Sequence, residues 1–129
     1  MTAPAVAPVT KQLSQAQVNE YADAADDHNP IHSDEAFAAA SPFGGTIAHG
    51  MLVLAAISEM MAESLGEAWL TSGKLKVRFK APAKTTDSLT ASATALQSAG
   101  GASLRYAVEC RNQDGEVLIS GTAQVAAVG

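Results

Sequence analysis

The chain has 129 residues, 47% of them hydrophobic and only 5% aromatic, with 13 acidic against 8 basic side chains and a net charge of -5. That is about one domain's worth of chain, with enough apolar content for a core built largely from small residues. The acidic balance argues against a general nucleic-acid binder. The longest apolar run, residues 51–57, is far short of the roughly 20 residues of a membrane span, and a lone cysteine, Cys110, permits no intrachain disulfide and points to a reducing, cytoplasmic setting.

Residues 1–9 are rich in Ala and Pro without a basic n-region, so they do not read as a signal peptide. Residues 1–8 are expected to form a flexible arm and residues 9–129 a single domain. A short strand is expected over 9–13. Ser14, with Gln17 three residues later, has the form of a capping box, and Val18, Tyr21, Ala22 and Ala25 then recur on one helical face. That helix should stop near Asp26, because Asn29-Pro30 breaks it. A second short helix starts around Ser33-Asp34-Glu35 and runs to about Ala40, with acids at its positive end. After a turn at 41–45, a third helix is expected from His49 or Gly50 to Leu65, ended by Gly66. Its first two turns are apolar nearly all round, which predicts burial on most sides.

Beyond Trp69 the periodicity turns to alternation. Leu75, Val77 and Phe79 should face one way and Lys74, Lys76, Arg78 and Lys80 the other. Three more strands are expected over 89–96, 104–110 and 117–125, with hairpin turns at Gly100-Gly101 and at residues 112–115. Short connections favour antiparallel neighbours. The fold class is therefore α+β, an antiparallel sheet wrapped around one apolar helix, and a sheet with so little aromatic bulk is expected to complete itself against a second copy.

All three histidines fall in two short segments, Asp27-His28-Asn29-Pro30-Ile31-His32 and Ile47-Ala48-His49-Gly50-Met51-Leu52. In the first, Pro30 forbids a regular helix, so Asp27 and His32 can project from one irregular loop that Asn29 stiffens. A carboxylate and an imidazole sharing one water make a workable acid/base device. Metal binding by Asp27, His28, His32 and His49 and a mere turn are the rival readings, although no zinc spacing is present. In the second segment, Gly50 opens a helix whose free N–H groups can stabilise a negative oxygen. Ser58, inside that helix, can bond a buried carboxylate or its own preceding carbonyl. No G-x-S-x-G elbow, dinucleotide fingerprint or Walker loop occurs. The cation stripe can be the solvated face of an edge strand or a seat for ligand phosphates.

Together, Tyr21-Ala22 with Asp27-x-Asn29-Pro30-x-His32, then Ile47-x-His49-Gly50-Met51-Leu52 and Arg78-Phe79-x-x-Pro82, resemble the MaoC-like or (R)-specific enoyl-CoA hydratase family over residues 13–125. The resemblance implies a hot-dog fold and reversible hydration of a trans-2-enoyl thioester to an (R)-3-hydroxyacyl thioester. Hot-dog thioesterases and non-catalytic acyl-binding subunits are the alternatives. It assigns water activation to Asp27 and His32, loop orientation to Asn29, an oxyanion donor to the Gly50 backbone and support of the aspartate to Ser58, with His49 ordering the helix entry. It further implies a homodimer and an acyl pocket lined by Met51, Leu54 and Ile57. A basic rim of Lys74, Lys76, Arg78, Lys80 and Lys84 would hold the phosphates of coenzyme A or of a carrier protein's phosphopantetheine, both parts of the substrate rather than cofactors. Two departures stand out: Asp26 precedes the motif aspartate where glycine is common, and residues 82–87 read Pro-Ala-Lys-Thr-Thr-Asp where the family often has Pro-x-x-x-Gly-Asp.

Overall fold

The structure, a computed structural model, describes residues 3–96 and 103–126. The expected hairpin at Gly100-Gly101 lies outside the described residues. In chain order the elements are β1 (Val9–Gln12), α1 (Gln15–Ala25), a 3-10 turn (Pro30–His32), α2 (Glu35–Ala39), α3 (Gly50–Leu65), α4 (Glu67–Ser72), β2 (Lys74–Phe79), β3 (Ser88–Leu96), β4 (Ser103–Arg111) and β5 (Val117–Ala126). The five strands form one antiparallel sheet in the order β1-β3-β4-β5-β2.

α3 buries Val53, Ala56, Ile57, Met60 and Met61, the i, i+3, i+4, i+7, i+8 stripe of an amphipathic helix. The sheet wraps that stripe with Leu89, Ala91, Tyr106, Val108, Cys110, Ile119, Ala123 and Val125. This is the hot-dog arrangement that the resemblance implies. Burial on most sides of α3 is corrected, however. The sheet covers one flank, and Met51 on the other is 58% exposed.

Close approach of strands lets the sheet curl around the helix. A Cβ on Gly121 would lie 2.1 Å from the Lys76 carbonyl oxygen and 2.7 Å from Val77 Cα. Cys110 faces the core, and burial pushes its thiol up to about 11 from an ordinary 9.0.

The N-terminal residues depart from the expected loose arm. Val6 is buried, the Pro4 carbonyl accepts the Tyr106 hydroxyl at 2.7 Å, and the Ala7 N–H donates to Ser64 Oγ at 3.1 Å. Half of the capping box forms: Ser14 Oγ accepts from the Gln17 N–H, while Gln17 Oε1 is buried with no partner among the described residues. α4 was not expected. Gly66, at φ 58°, turns the chain out of α3, and the Trp69 indole N–H then anchors the new turn by donating to Ser58 Oγ at 3.0 Å.

Candidate active site

Asp27 is placed by the way α1 ends. Asp26 enters the left-handed region at φ 52°, ψ 42°, and the Asp27 N–H then donates to the Ala22 carbonyl at 3.0 Å, with Asp26 N–H reaching Asp23 O. These are the paired bonds of a Schellman helix end. They hold the first residue of the loop, and Asn29 holds the next turn. Asn29 Oδ1 accepts the Ile31 N–H at 3.1 Å, and its own N–H points at Asp27 Oδ1 at 3.4 Å. Pro30 sits in the first position of the 3-10 turn, where its missing N–H costs nothing.

His32 closes that turn. Its Nδ1 lies 2.7 Å from the Ile47 carbonyl oxygen, which only accepts. Nδ1 therefore carries the hydrogen, and Nε2 is left for chemistry. The Ile47 N–H in turn donates to Ile31 O at 3.1 Å, so the two motif segments are laced together by backbone.

His49 does more than order a helix entry. It is 3% exposed, its ring stacks on His32 with centroids 3.7 Å apart, and its Nε2–H donates to the Asp27 carbonyl at 3.0 Å. Tyr21 packs against its other side at 4.8 Å. His28, by contrast, is exposed and, among the described residues, pairs with Asp23 and Asp26, at 3.9 and 3.5 Å.

One ligand-type atom from each of Asp27, His32 and His49 lies within 4.8 Å of the other two. As a metal set this is poor. His32 Nδ1 and His49 Nε2 are engaged with carbonyls, and the two rings are stacked with centroids 3.7 Å apart and planes 24° apart, which leaves little room for an ion between them.

Beside this group is a cavity of about 360 Å³ lined by His32, Ile47, Gly50, Val53, Phe79 and Lys80, among others. The Gly50 and Met51 N–H groups open α3 without a side-chain cap, because the first helical bonds are those from Leu52 and Val53 to His49 O. The helix end thus presents free donors with its positive dipole behind them. The Phe79 ring lies across this end; a Cβ on Gly50 would come within 3.2 Å of it.

Three expected placements are not found together with the candidate site. Met51 and Leu54 do not line the cavity; Gly50 and Val53 do, because a helical step of 100° swings the neighbouring positions away. Ser58 is not brought to Asp27. It lies eight residues, about 12 Å, beyond Gly50 along the helix, and its hydroxyl is the acceptor for Trp69. The cations also divide. Lys76, Arg78 and Lys80 line a cleft of about 480 Å³ with Ser120 and Thr122, and Lys80 alone also lines the cavity beside His32. Lys74 faces a separate depression with Ser72 and Gln124, and Lys84 lines neither the cleft nor that cavity.

Sequence reasoning missed Ile47, whose contribution is a carbonyl and so leaves no side-chain signature. It also missed Phe43 and Phe79, which flank the cavity although both are largely exposed. The signal for Phe79 was a large aromatic at the end of a strand otherwise alternating with cations.

A family model, MaoC like domain, matches residues 2–114. The 3-hydroxyacyl-thioester dehydratase Z of Mycobacterium tuberculosis is 42% identical over 74 residues, covering 54% of this chain and 49% of that protein. The (R)-specific enoyl-CoA hydratase of Aeromonas caviae is 35% identical over 84 residues, covering 64% and 62%. The chain spans about half the length of the first of these curated relatives. The solved structure of the (R)-hydratase from A. caviae superposes with a TM-score of 0.86 at 26% identity, covering 99% of this chain and 98% of that one. With its hot-dog architecture and its matched span, the chain belongs to the MaoC-like/(R)-hydratase family.

Proposed function

We propose that this protein is a reversible hydro-lyase that adds water to a trans-2-enoyl thioester to give the (R)-3-hydroxyacyl thioester, or removes it. The observation that carries the reading is the convergence of Asp27, His32 and His49 within 4.8 Å beside the uncapped start of α3. Asp27 and His32 Nε2 take a water between them. Its hydroxyl adds to Cβ of the enoyl group, one O–H bond breaks, and a proton is delivered to Cα, so no co-reactant is needed. As Cβ is attacked, negative charge moves onto the thioester oxygen. The Gly50 N–H stands at the helix end to receive it, an arrangement of the kind worth about 10²–10³ in rate. His49 holds the loop by the Asp27 carbonyl and braces the His32 ring.

The acyl group occupies the apolar cavity over Val53. The phosphate end of its carrier, coenzyme A or carrier-protein phosphopantetheine, lies in the Lys76–Arg78–Lys80 cleft, which meets that cavity at Lys80. Residues 9–129, with the segment that packs Val6 against them, act as one domain. A homodimer suits the bare edge of β2 and the uncovered apolar surface at Met51 and Phe79. Among the described residues, no helix is long and apolar enough to cross a membrane.

The test is incubation of the pure protein with crotonyl-CoA and longer trans-2-enoyl-CoAs, following loss of the conjugated thioester and the configuration of the product. Formation of the (R)-3-hydroxy product is expected. Free CoA without hydration would instead identify a thioesterase, and no reaction at any chain length an acyl-binding subunit. Asp27→Asn and His32→Ala should each lower turnover by about 10²–10⁴ with the fold intact. Near-normal rates in both would refute the site.

A further inference from the structure

The cavity does not touch Gln15, yet this side chain grips the backbone of His32. Gln15 Nε2 donates to the His32 carbonyl at 2.7 Å and to Asn19 Oδ1 at 2.9 Å, while its Oε1 accepts the Thr46 hydroxyl at 2.9 Å. The orientation of the amide is dictated by its partners, because the His32 carbonyl only accepts. Thr46 has one hydroxyl hydrogen, and the Gln15 oxygen is its closer acceptor, Glu35 Oε1 being 3.4 Å away. The 3.0 Å contact between the Thr46 and Thr85 hydroxyls must then be donated by Thr85. The hydrogens therefore run one way, Thr85 to Thr46 to Gln15 to the His32 carbonyl. Thr46 and Thr85 are 5% and 4% exposed, and bonds in such a chain reinforce one another away from water.

The same short segment that anchors Gln15 also anchors the ring. Thr46 takes the Gln15 end, and its neighbour Ile47 takes His32 Nδ1. Ile47 is itself pinned to Lys84 by a β-bridge, one residue from Thr85. His32 is thereby held at two points, carbonyl and ring, by one rigid support.

We infer that Gln15 is the positioning residue for His32, setting where Nε2 stands relative to the Asp27 carboxylate through the Thr85–Thr46–Gln15 chain. This rests on the hydratase reading of His32 given above. Only a side chain with both an acceptor and a donor can fill the middle place. A carboxylate there would keep the bond from Thr46 and repel the His32 carbonyl.

The experiment compares Gln15→Ala, Gln15→Glu and Thr46→Val with the parent protein on crotonyl-CoA, and repeats Gln15→Ala in a His32→Ala background. Both Gln15 variants should lose roughly 10- to 100-fold in kcat with KM and melting temperature little changed, the scale expected for a misplaced catalytic group. Thr46→Val, which spares the bond to His32, should lose less. In the His32→Ala background the Gln15 change should cost nothing further, since its effect passes through His32. Unchanged kcat in Gln15→Ala, or an equal loss with His32 absent, overturns the inference while leaving the function intact. If the parent protein hydrates no substrate, the reading of function fails separately. The histidine-ring ¹⁵N spectrum then decides the inference. A shifted or exchange-broadened His32 Nδ1–H signal in Gln15→Ala upholds it, and an unchanged signal refutes it.

Discussion

Asp26 is the non-glycine residue at positive φ among the described residues, and it sits immediately before Asp27 of the candidate site. The left-handed conformation costs an L-residue about 1–2 kcal/mol, less for Asp than for most. The family pattern often has glycine here, and the helix end supplies the reason: the chain must turn left-handed for Asp27 to reach back to Ala22. Asp26→Gly should raise the unfolding free energy by about 0.5–1 kcal/mol, since the exposed contact with His28 that it sacrifices is worth little. A higher denaturant midpoint with an unchanged slope checks this, and a lower midpoint contradicts it. The second departure from the pattern, Thr86 in place of glycine, carries no such cost, because its φ is ordinary. Asp87 is nevertheless buried and accepts the Lys84 N–H at 2.8 Å. His49 makes the other prediction at this scale. Replacing it by Phe keeps a ring stacked on His32 but removes the donor to the Asp27 carbonyl, and Ala removes both. If the carbonyl bond sets the loop, both variants should lose kcat by about 10-fold or more, with Ala the worse. Full activity in Phe would leave stacking as the residue's whole contribution.

At the scale of elements, the chain announces α3, β2 to β5 and the end of α1 clearly, because each rests on local rules. α3 has a glycine at each end and an uninterrupted apolar stripe, and the strands alternate between turn residues. The two motif segments likewise mark Asp27, His32 and Gly50 as candidates, and the structure brings Asp27 and His32 together with His49. What stayed illegible depends on tertiary partners. α4 is only six residues long and is held by an indole reaching back to Ser58, so nothing local marks it. Which side of α3 faces the cavity depends on how the sheet wraps, and along β5 the strands approach too closely at one point for any side chain. Gly121 pairs across to both Val77 and Val108, and the neighbouring backbone occupies the space of a side chain. Gly121→Ala would drive a methyl into the Lys76 carbonyl, which is main chain and cannot rotate away. The expected cost is about 3 kcal/mol or more, seen as a large drop in melting temperature or loss of soluble protein. A variant as stable as the parent would show that the sheet flattens at no cost. The supports of His32 were illegible for a related reason: carbonyls and a single amide leave no periodic trace.

For the whole molecule, the distribution of charge matters more than its sum. Among the described residues, Lys11 and Arg111 are ion-paired with Glu59 and Glu109. The cations outside such pairs, Lys74, Lys76, Arg78, Lys80, Lys84 and Arg105, stand on β2, on the segment after it, and on β4, where Arg105 lies across β5 from Lys74. A protein of net charge -5 thus carries a positive cleft of Lys76, Arg78 and Lys80 that meets its cavity at Lys80. Such a cleft attracts an anionic substrate over distances that salt controls, because the Debye length falls from about 30 Å at 0.01 M to about 3 Å at 1 M. If it receives the phosphates of the acyl carrier, kcat/KM for crotonyl-CoA should fall steeply as ionic strength rises. Crotonyl-pantetheine, which has the same reacting group and no phosphate, should respond weakly. Replacing Lys76 and Arg78 together by Glu should raise KM for the CoA thioester by about 10-fold or more, the order expected when close attractive pairs become repulsive. The same change should flatten the salt dependence and leave the pantetheine thioester nearly untouched. Equal salt slopes for the two thioesters would mean that the stripe serves the exposed edge of the sheet, where lysines discourage unwanted strand pairing, and that the carrier's phosphates lie elsewhere.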